Sequence, residues 1–231
     1  MRVGAGTGNS TPHLPEDYNL QVRRTIPHYD TMHSETINLA RALDRPPRFW
    51  LDTGCGTGAM VEQALRLLPD TEFILADPSQ RMLDVARGRF HREGRVGILR
   101  PMRTQDLAGE LGETPDLITA VQCHHYLARR DREKAVEVCF GLLPKDGAFI
   151  SFENVRPFTA AGIKIGKRNW GNFQKRNGKD EAEAEAHLAR FDREYFPITA
   201  EEHLDILQRT GFSSVELLWY SHMQAGFFCI R

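Results

Sequence analysis

Short apolar runs alternate with segments of helical periodicity along most of this chain. Runs that predict strands are 48–52, 73–77, 96–99, 117–121, 147–152, 215–220 and 226–230. Segments with apolar residues at helical spacing are 59–68, 79–90, 131–143 and 200–210. Strands that alternate with helices predict a parallel sheet covered by helices on both faces, because each parallel connection has to cross over the sheet.

The last two predicted strands break this alternation. Only residues 221–225 separate them, which is too short for a parallel crossover, so we expect the last strand to be antiparallel. The predicted fold is α/β, with a doubly wound, mostly parallel seven-stranded sheet, an antiparallel last strand and a helical insertion.

The remaining segments suggest how the chain is organised. Residues 1–19 are rich in Gly, Pro, Thr and Asn and predict a flexible tail, followed by a single domain over 20–231. Within it, residues 20–44 predict an N-terminal helical cap interrupted at Pro27, because proline breaks a helix. Residues 157–196 are strongly charged and lack a strand signal, so we expect an inserted helical lid.

Composition removes several classes of function. The chain has 231 residues, 41% of them hydrophobic and 26% charged, with 30 basic against 31 acidic side chains. A net charge of −1 provides no overall basic field for nucleic acid or an anionic membrane. No apolar run approaches the roughly 18 residues of a membrane span, and the N-terminus lacks a signal-peptide pattern, so a cytoplasmic protein is expected. Four scattered cysteines without a C-x-x-C pair predict reduced thiols and no metal site.

A glycine-rich turn directly after the first strand is the main candidate for chemistry. Gly54, Gly56 and Gly58 allow a ligand to approach the backbone closely, and the following helix offers free N–H groups. Asp77 ends the second strand, where an acidic side chain can accept hydrogen bonds from ribose hydroxyls. The turn is one residue tighter than the dinucleotide motif, and Asp52 before it would repel a pyrophosphate. An adenosine-type cofactor other than a nicotinamide dinucleotide is therefore predicted.

The segment Leu51 to Gly58, L-D-T-G-C-G-T-G, resembles the first motif of class I S-adenosylmethionine-dependent methyltransferases. The resemblance implies that Asp52, Gly54, Cys55, Gly56 and Gly58 surround the methionine moiety of S-adenosyl-L-methionine, and that Asp77 binds its ribose. It further implies that Pro78 and Met82 lie near the adenine, that Asp106 meets the adenine amino group, that Leu107 lines the ring, and that Gln122 lies beside the cofactor.

Later motifs agree in order with the same family. Residues 115–122 resemble its fourth-strand motif, and residues 142–147 resemble its L-x-P-G-G turn, although Lys145 and Asp146 replace the two glycines. The similarity extends over roughly residues 45–231.

Three segments are similar to carboxy-S-adenosylmethionine synthase and its methyltransferase relatives: residues 24–29, the insertion and residues 198–203. This resemblance implies that Tyr29 covers the cofactor. In the synthase, an arginine of the insertion's last helix holds the additional carboxylate. Leu188 takes that place here and Arg190 lies two residues away, so the plain and the carboxylated cofactor both stay open.

Residues after the fourth strand are the candidates for contact with the acceptor. His124, His125 and Tyr126 follow Gln122 at the mouth of the predicted site, where a general base would stand. Neighbours on an extended chain point in opposite directions, so at most one histidine is expected to face the cofactor; the alternative is a loop histidine bonded to backbone. Methyl transfer from a sulfonium needs little beyond alignment, so a missing base is no objection.

The insertion carries a basic stretch from Lys164 to Lys179, interleaved with Trp170 and Phe173, a combination that suits RNA. Acidic residues follow from Asp180 to Glu185, and this charge pattern favours a salt-bridged lid over a nucleic-acid groove. The apolar residues of the lid would serve a homodimer contact equally well, and the oligomeric state stays open.

The predicted function is S-adenosylmethionine-dependent methyl transfer to a small-molecule acceptor. Two alternatives stay open: synthesis or use of carboxy-S-adenosylmethionine, which relates to tRNA modification, and a binding module for S-adenosylmethionine without turnover. A nicotinamide oxidoreductase would share only the βαβ unit.

Overall fold

A single seven-stranded sheet forms the centre of the protein. The computed structural model describes residues 18–231. The strands are β1 Phe49–Thr53, β2 Glu72–Ala76, β3 Val96–Ile98, β4 Leu117–Val121, β5 Ala148–Asn154, β6 Ser214–Ser221 and β7 Gln224–Ile230. Their order is β3-β2-β1-β4-β5-β7-β6, with the first five strands parallel and β7 antiparallel to both of its neighbours. The predicted α/β fold and the antiparallel last strand are confirmed.

Helices cover both faces of this sheet. They are α1 Tyr18–Thr25, α2 Tyr29–Ala42, α3 Ala59–Leu67, α4 Gln80–Arg89, α5 Arg129–Leu142, α6 Ala160–Arg176, α7 Glu181–Ala189 and α8 Ala200–Thr210. Trp50 and Leu51 are neighbours on β1 and are both fully buried, although successive strand residues point to opposite faces. Trp50 packs in the cluster on the side of α1 to α3, whereas Leu51 packs on the side of α5 and α8.

The segments outside the sheet differ in part from the sequence-based boundaries. The predicted tail, residues 1–19, lies outside the described residues except for Tyr18 and Asn19, which begin α1. The chain leaves α1 at Thr25 and enters α2 at Tyr29, with Pro27 between them. Helices α6 and α7 occupy the segment 157–196.

The turn before β5 forms although Lys145 and Asp146 replace the two glycines of the family motif. Asp146 has φ 65°, in the left-handed region that favours glycine but which Asp also adopts. Its backbone N–H donates to the carbonyl of Arg231 (2.9 Å), which ties the turn to the end of β7.

Candidate functional site

The turn between β1 and α3 is held tightly against the rest of the domain. Gly54 has φ +66°, and a Cβ there would lie 2.4 Å from the Cβ of Cys123 in the loop after β4. Gly58 has φ +75°, and a Cβ there would lie 2.5 Å from the ring of Phe90 at the end of α4. A side chain at either position would combine backbone strain with a clash. The turn thus brings bare backbone to the carboxyl edge of the sheet.

Asp77 joins the end of β2 to this turn. Its Oδ2 accepts from the backbone N–H of Gly56 (3.0 Å), and its Oδ1 accepts from that of Ser79 (2.8 Å). Burial raises the pKa of Asp77 to about 6, against the opposing effect of these two hydrogen bonds. Each carboxylate oxygen has a second lone pair, so the group can still accept hydrogen bonds from a ligand.

A second buried carboxylate stands on the strand beside it. Asp52 Oδ1 accepts from the hydroxyl of Thr119 (2.7 Å), which in turn accepts from the indole N–H of Trp50 (2.8 Å). Burial raises the pKa of Asp52 to about 7; the Thr119 hydrogen bond lowers it and the charge of Asp77 raises it further. A cation bound beside Asp52 would favour its ionised form.

A cleft lies over the glycine turn, closed from above by the N-terminal helices. Its lining residues are Tyr18, Tyr29, His33, Asp52, Gly54, Cys55, Gly56, Met60 and Val121. A Cβ on Gly56 would lie 3.7 Å from the ring of Tyr18, and the hydroxyl of Thr57 donates to the side chain of Asn19 (3.0 Å). Helix α1 therefore lies directly on the turn.

Four lining residues were missed by the sequence analysis: Tyr18, His33, Met60 and Val121. Tyr18 fell in the predicted tail, and His33 occupies an ordinary polar position of α2. The ring of His33 lies 4.4 Å from that of Tyr29, and burial lowers the pKa of His33 to about 4. Polar residues on the buried face of a helix are the signal that could have identified His33.

Gln122 follows β4 in an unusual conformation. Its φ is 57°, although it is not a glycine, and its backbone N–H donates to the carbonyl of Phe152 on β5 (2.6 Å). Both polar atoms of its side chain are buried and make no hydrogen bond within the protein. An unpaired buried amide of this kind is available to a ligand.

The histidines that follow are not on extended chain, which corrects the expected alternation. His124, His125 and Tyr126 form a 3₁₀ turn, and both histidines are buried. His124 Nε2 lies 3.2 Å from the hydroxyl of Thr104, and His125 Nδ1 lies 2.7 Å from Glu153 Oε2. Tyr126 is half-buried, with its ring 6.4 Å from that of Tyr195 in the insertion. Both histidines are thus engaged within the protein.

Residues 51–149, which span β1 to the start of β5, match the family model described as a methyltransferase domain. This part of the chain is therefore similar to a methyltransferase domain. Two curated proteins named carboxy-S-adenosyl-L-methionine synthase are similar to the chain over nearly all of its length. The one from Trichodesmium erythraeum is 23% identical over 216 residues, covering 93% of this chain and 85% of that protein. The one from Methylococcus capsulatus is 23% identical over 221 residues, covering 94% and 90%.

Solved structures of methyltransferases share the fold of this protein. An O-methyltransferase family protein from Burkholderia thailandensis has a TM-score of 0.58 at 16% identity, covering 96% of this chain. Human N-acetylserotonin methyltransferase, solved in complex with SAM, has a TM-score of 0.57 at 14% identity and covers 94% of this chain. This chain spans only 65% and 53%, respectively, of those two chains.

The residues predicted near the adenine occupy different environments in the structure. Met82 is buried in the first turn of α4 and Pro78 is half-buried before it. Leu107 is fully buried, whereas Asp106 is exposed and accepts from the guanidinium of Arg103 (2.8 Å). The 3₁₀ turn of residues 104–106 is bonded to the end of β1 through the hydroxyls of Thr104 and Thr53, 2.7 Å apart.

Donors and acceptors in the cleft and beside it suit S-adenosylmethionine. A buried carboxylate at Asp52 complements a cationic amino acid group, the lone pairs of Asp77 suit vicinal hydroxyls, and the unpaired amide of Gln122 can bind a polar group. Cys55 contributes its backbone N–H to the carbonyl of Ala76 (3.1 Å), and burial raises the pKa of its thiol well above the usual value.

Other kinds of site find less support in residues 18–231. No three His, Cys, Asp or Glu side chains in this range are grouped as a metal site requires. All four cysteines are unpaired thiols. None of the helices described above has the length and apolar character needed to cross a bilayer.

Proposed function

We propose that the protein binds S-adenosylmethionine in the cleft over the glycine turn and transfers its methyl group to a small-molecule acceptor. The observation that carries this proposal is the placement of two buried carboxylates, Asp52 and Asp77, on either side of the turn at the carboxyl ends of β1 and β2. This is where open α/β sheets bind their ligands.

Each predicted binding residue receives a specific role. Asp52 holds the cofactor's ammonium group and Asp77 its ribose, while the backbone of Gly54, Cys55, Gly56 and Gly58 supports the methionine moiety. Pro78, Met82 and Leu107 line the adenine. Asp106 accepts a hydrogen bond from the adenine amino group, either in place of its bond from Arg103 or together with it. Tyr29 covers the cofactor and Gln122 contacts it at the acceptor side.

When bound, the cofactor would supply a methyl group on a positively charged sulfur. The nucleophile of the acceptor would attack the methyl carbon from the side opposite the sulfur, and S-adenosylhomocysteine would leave. The protein orients the two partners and excludes water, which Tyr18 and Tyr29 achieve by covering the glycine turn. His124 and His125 are buried and contact Thr104 and Glu153, whereas Tyr126 is half-buried; we therefore assign Tyr126 to the acceptor side of the site.

The same proposal covers location and partner. Four unpaired thiols suit a reducing compartment, so we place the protein in the cytoplasm. The acceptor is a small molecule enclosed between the N-terminal helices and the insertion. The indole N–H of Trp170 on α6 donates to the carbonyl of Thr25 on α1 (2.7 Å), which closes this side of the site.

Synthesis or use of carboxy-S-adenosylmethionine is the second candidate. It is supported by the names of the two relatives, each of which matches more than nine-tenths of this chain. Arg190 is nearly buried beside the ring of Tyr195, with its Nε donating to Glu194 (2.6 Å).

Mass spectrometry of the ligand released from natively purified protein separates the two candidates. S-adenosylmethionine or S-adenosylhomocysteine supports methyl transfer, whereas a ligand heavier by one CO₂ supports the second candidate. Calorimetry then tests the site: Asp77→Ala should weaken S-adenosylmethionine binding by about tenfold or more. Asp84→Ala, an exposed acid on α4, is the control and should bind like the wild type. Equal binding by both variants contradicts the assigned site.

Release of S-adenosylhomocysteine in the presence of acceptors distinguishes an enzyme from a binding module. An enzyme releases it with at least one member of a broad panel of small nucleophiles. Tight cofactor binding without release from any of them favours the module.

A further inference from the structure

Gln122 adopts a strained backbone conformation directly after Val121, which lines the cleft. A φ of 57° is unfavourable for a residue with a Cβ, and such strain persists only where the surroundings enforce it. One restraint is the hydrogen bond from its N–H to Phe152 on β5. The next residue of β5, Glu153, provides the others.

Glu153 holds the 3₁₀ turn that follows Gln122. Its Oε1 accepts from the backbone N–H of His124 (3.1 Å), and its Oε2 accepts from that of His125 (2.8 Å). The same Oε2 lies 2.7 Å from His125 Nδ1. One carboxylate thus fixes two successive backbone amides and one side chain, all within two or three residues of Gln122.

Further hydrogen bonds hold the 3₁₀ turn from β5, β7 and α5. His125 Nε2 lies 3.1 Å from Asn154 Nδ2, and Asn154 Oδ1 accepts from the amide of Gln224 on β7 (3.2 Å). Arg132 of α5 is buried and donates to the carbonyl of His124 (3.2 Å). The turn is therefore connected to β5, β7 and α5, whereas the side-chain amide of Gln122, directly before it, makes no hydrogen bond within the protein.

We propose that Glu153 is a positioning residue: its carboxylate holds the loop of residues 122–126 so that the unpaired amide of Gln122 faces the bound cofactor. The part concerning ligands rests on the proposed function. Glu153 is itself buried, and it acts through the loop without touching either ligand.

Glu153→Gln tests this role, because it replaces one oxygen that accepts from N–H groups by an NH₂ that cannot accept. Asp116→Asn is the matched control. Asp116 also accepts from two backbone amides, those of Arg48 (2.9 Å) and Phe49 (3.1 Å), but at the opposite edge of the sheet. Both variants replace a carboxylate by an amide. The Asn side-chain oxygen can replace Asp116 Oδ2, which accepts from both backbone amides, whereas the hydrogen bonds of Glu153 use both of its oxygens, so only Glu153→Gln has to lose one.

Two measurements are made on the full-length protein. Amide hydrogen exchange over residues 122–127 should become about tenfold faster in Glu153→Gln and remain unchanged in Asp116→Asn. The dissociation constant of S-adenosylmethionine, measured by calorimetry, should rise at least about fivefold in Glu153→Gln and less than about twofold in Asp116→Asn. Glu153→Asp, which keeps the charge and shortens the arm, should be intermediate and serves if Glu153→Gln does not fold.

The outcomes separate this inference from the proposed function. Unchanged exchange in the loop overturns the positioning role. Faster exchange with unchanged cofactor affinity also overturns it, since Glu153 is then only structural. A wild-type protein that fails to bind S-adenosylmethionine contradicts the proposed function instead, and the exchange data still decide whether Glu153 holds the loop.

Discussion

The imidazole of His125 and the carboxylate of Glu153 form a contact of 2.7 Å between two side chains that are each about 1% exposed. Burial by itself raises the pKa of Glu153, but the hydrogen bond and the charge of His125 outweigh it and lower the pKa to about 2. The ordinary value is 4.5. The folded protein therefore binds this proton less tightly than the unfolded chain does.

Acid should remove the stability that Glu153 contributes. A lowered pKa in the folded state contributes stability that is complete above about pH 4.5 and is lost as the pH falls toward 2. Urea unfolding of wild type and Glu153→Gln at about pH 6.5, 4.5 and 3 measures this contribution. The difference between them should shrink steadily toward low pH, and a constant difference would contradict the ionised state of Glu153.

Asp52 and Asp77 should produce the opposite pH dependence in the ligand-free protein. Their pKa values are raised to about 7 and about 6, chiefly by burial, from the ordinary 3.8. The protonated carboxyl groups contribute to the free energy of unfolding. This contribution is fully present below about pH 4 and is lost as the pH rises to about 7. Asp52→Asn should therefore lose less stability than the wild type between pH 5 and about 8, measured by urea unfolding.

Cofactor binding should follow the same ionisation. A cationic cofactor favours the charged form of Asp52, so the affinity for S-adenosylmethionine should increase between about pH 6 and 8. Calorimetry of Asp52→Asn provides the comparison, because its affinity should be weak and nearly independent of pH over this range.

Two glycine substitutions should change stability in opposite directions. Gly54→Ala places a Cβ 2.4 Å from that of Cys123 at φ +66°, so we expect a loss of about 2 kcal/mol or more. Gly88 lies in α4 with no atom within 4 Å of a Cβ, so Gly88→Ala should gain about 0.5–1 kcal/mol. Equal effects in thermal or urea unfolding would show that the turn tolerates a side chain.

Gln174→Leu should stabilise the ligand-free protein by about 1 kcal/mol. Gln174 is fully buried on the inner face of α6, and neither polar atom of its amide makes a hydrogen bond. An apolar side chain of similar size removes the cost of burying that amide. Asn172→Leu, on the exposed face of the same helix, is the control and should leave the unfolding midpoint almost unchanged.

The sequence predicted the sheet well because its strands are short apolar runs, and it predicted the glycine turn because Gly54 and Gly58 occupy positions that exclude a side chain. Tyr18, His33 and Glu153 were missed because their roles depend on contacts between distant segments. Glu153 is a polar residue beyond the end of an apolar run, and only pairing of β4 with β5 brings it beside His124 and His125. The 3₁₀ turn of residues 124–126 was equally hidden, since hydrogen bonds from a neighbouring strand enforce it.

The contact between Trp170 and Thr25 joins residues 145 positions apart in sequence. Contacts of such high sequence separation form late in folding, because their loop-closure entropy is not repaid until the intervening structure exists. The parallel core from β1 to β5 can therefore assemble while the enclosure around the acceptor is still open. Synthesis on the ribosome imposes the same order, so the chain acquires its glycine turn well before it acquires a closed reaction chamber.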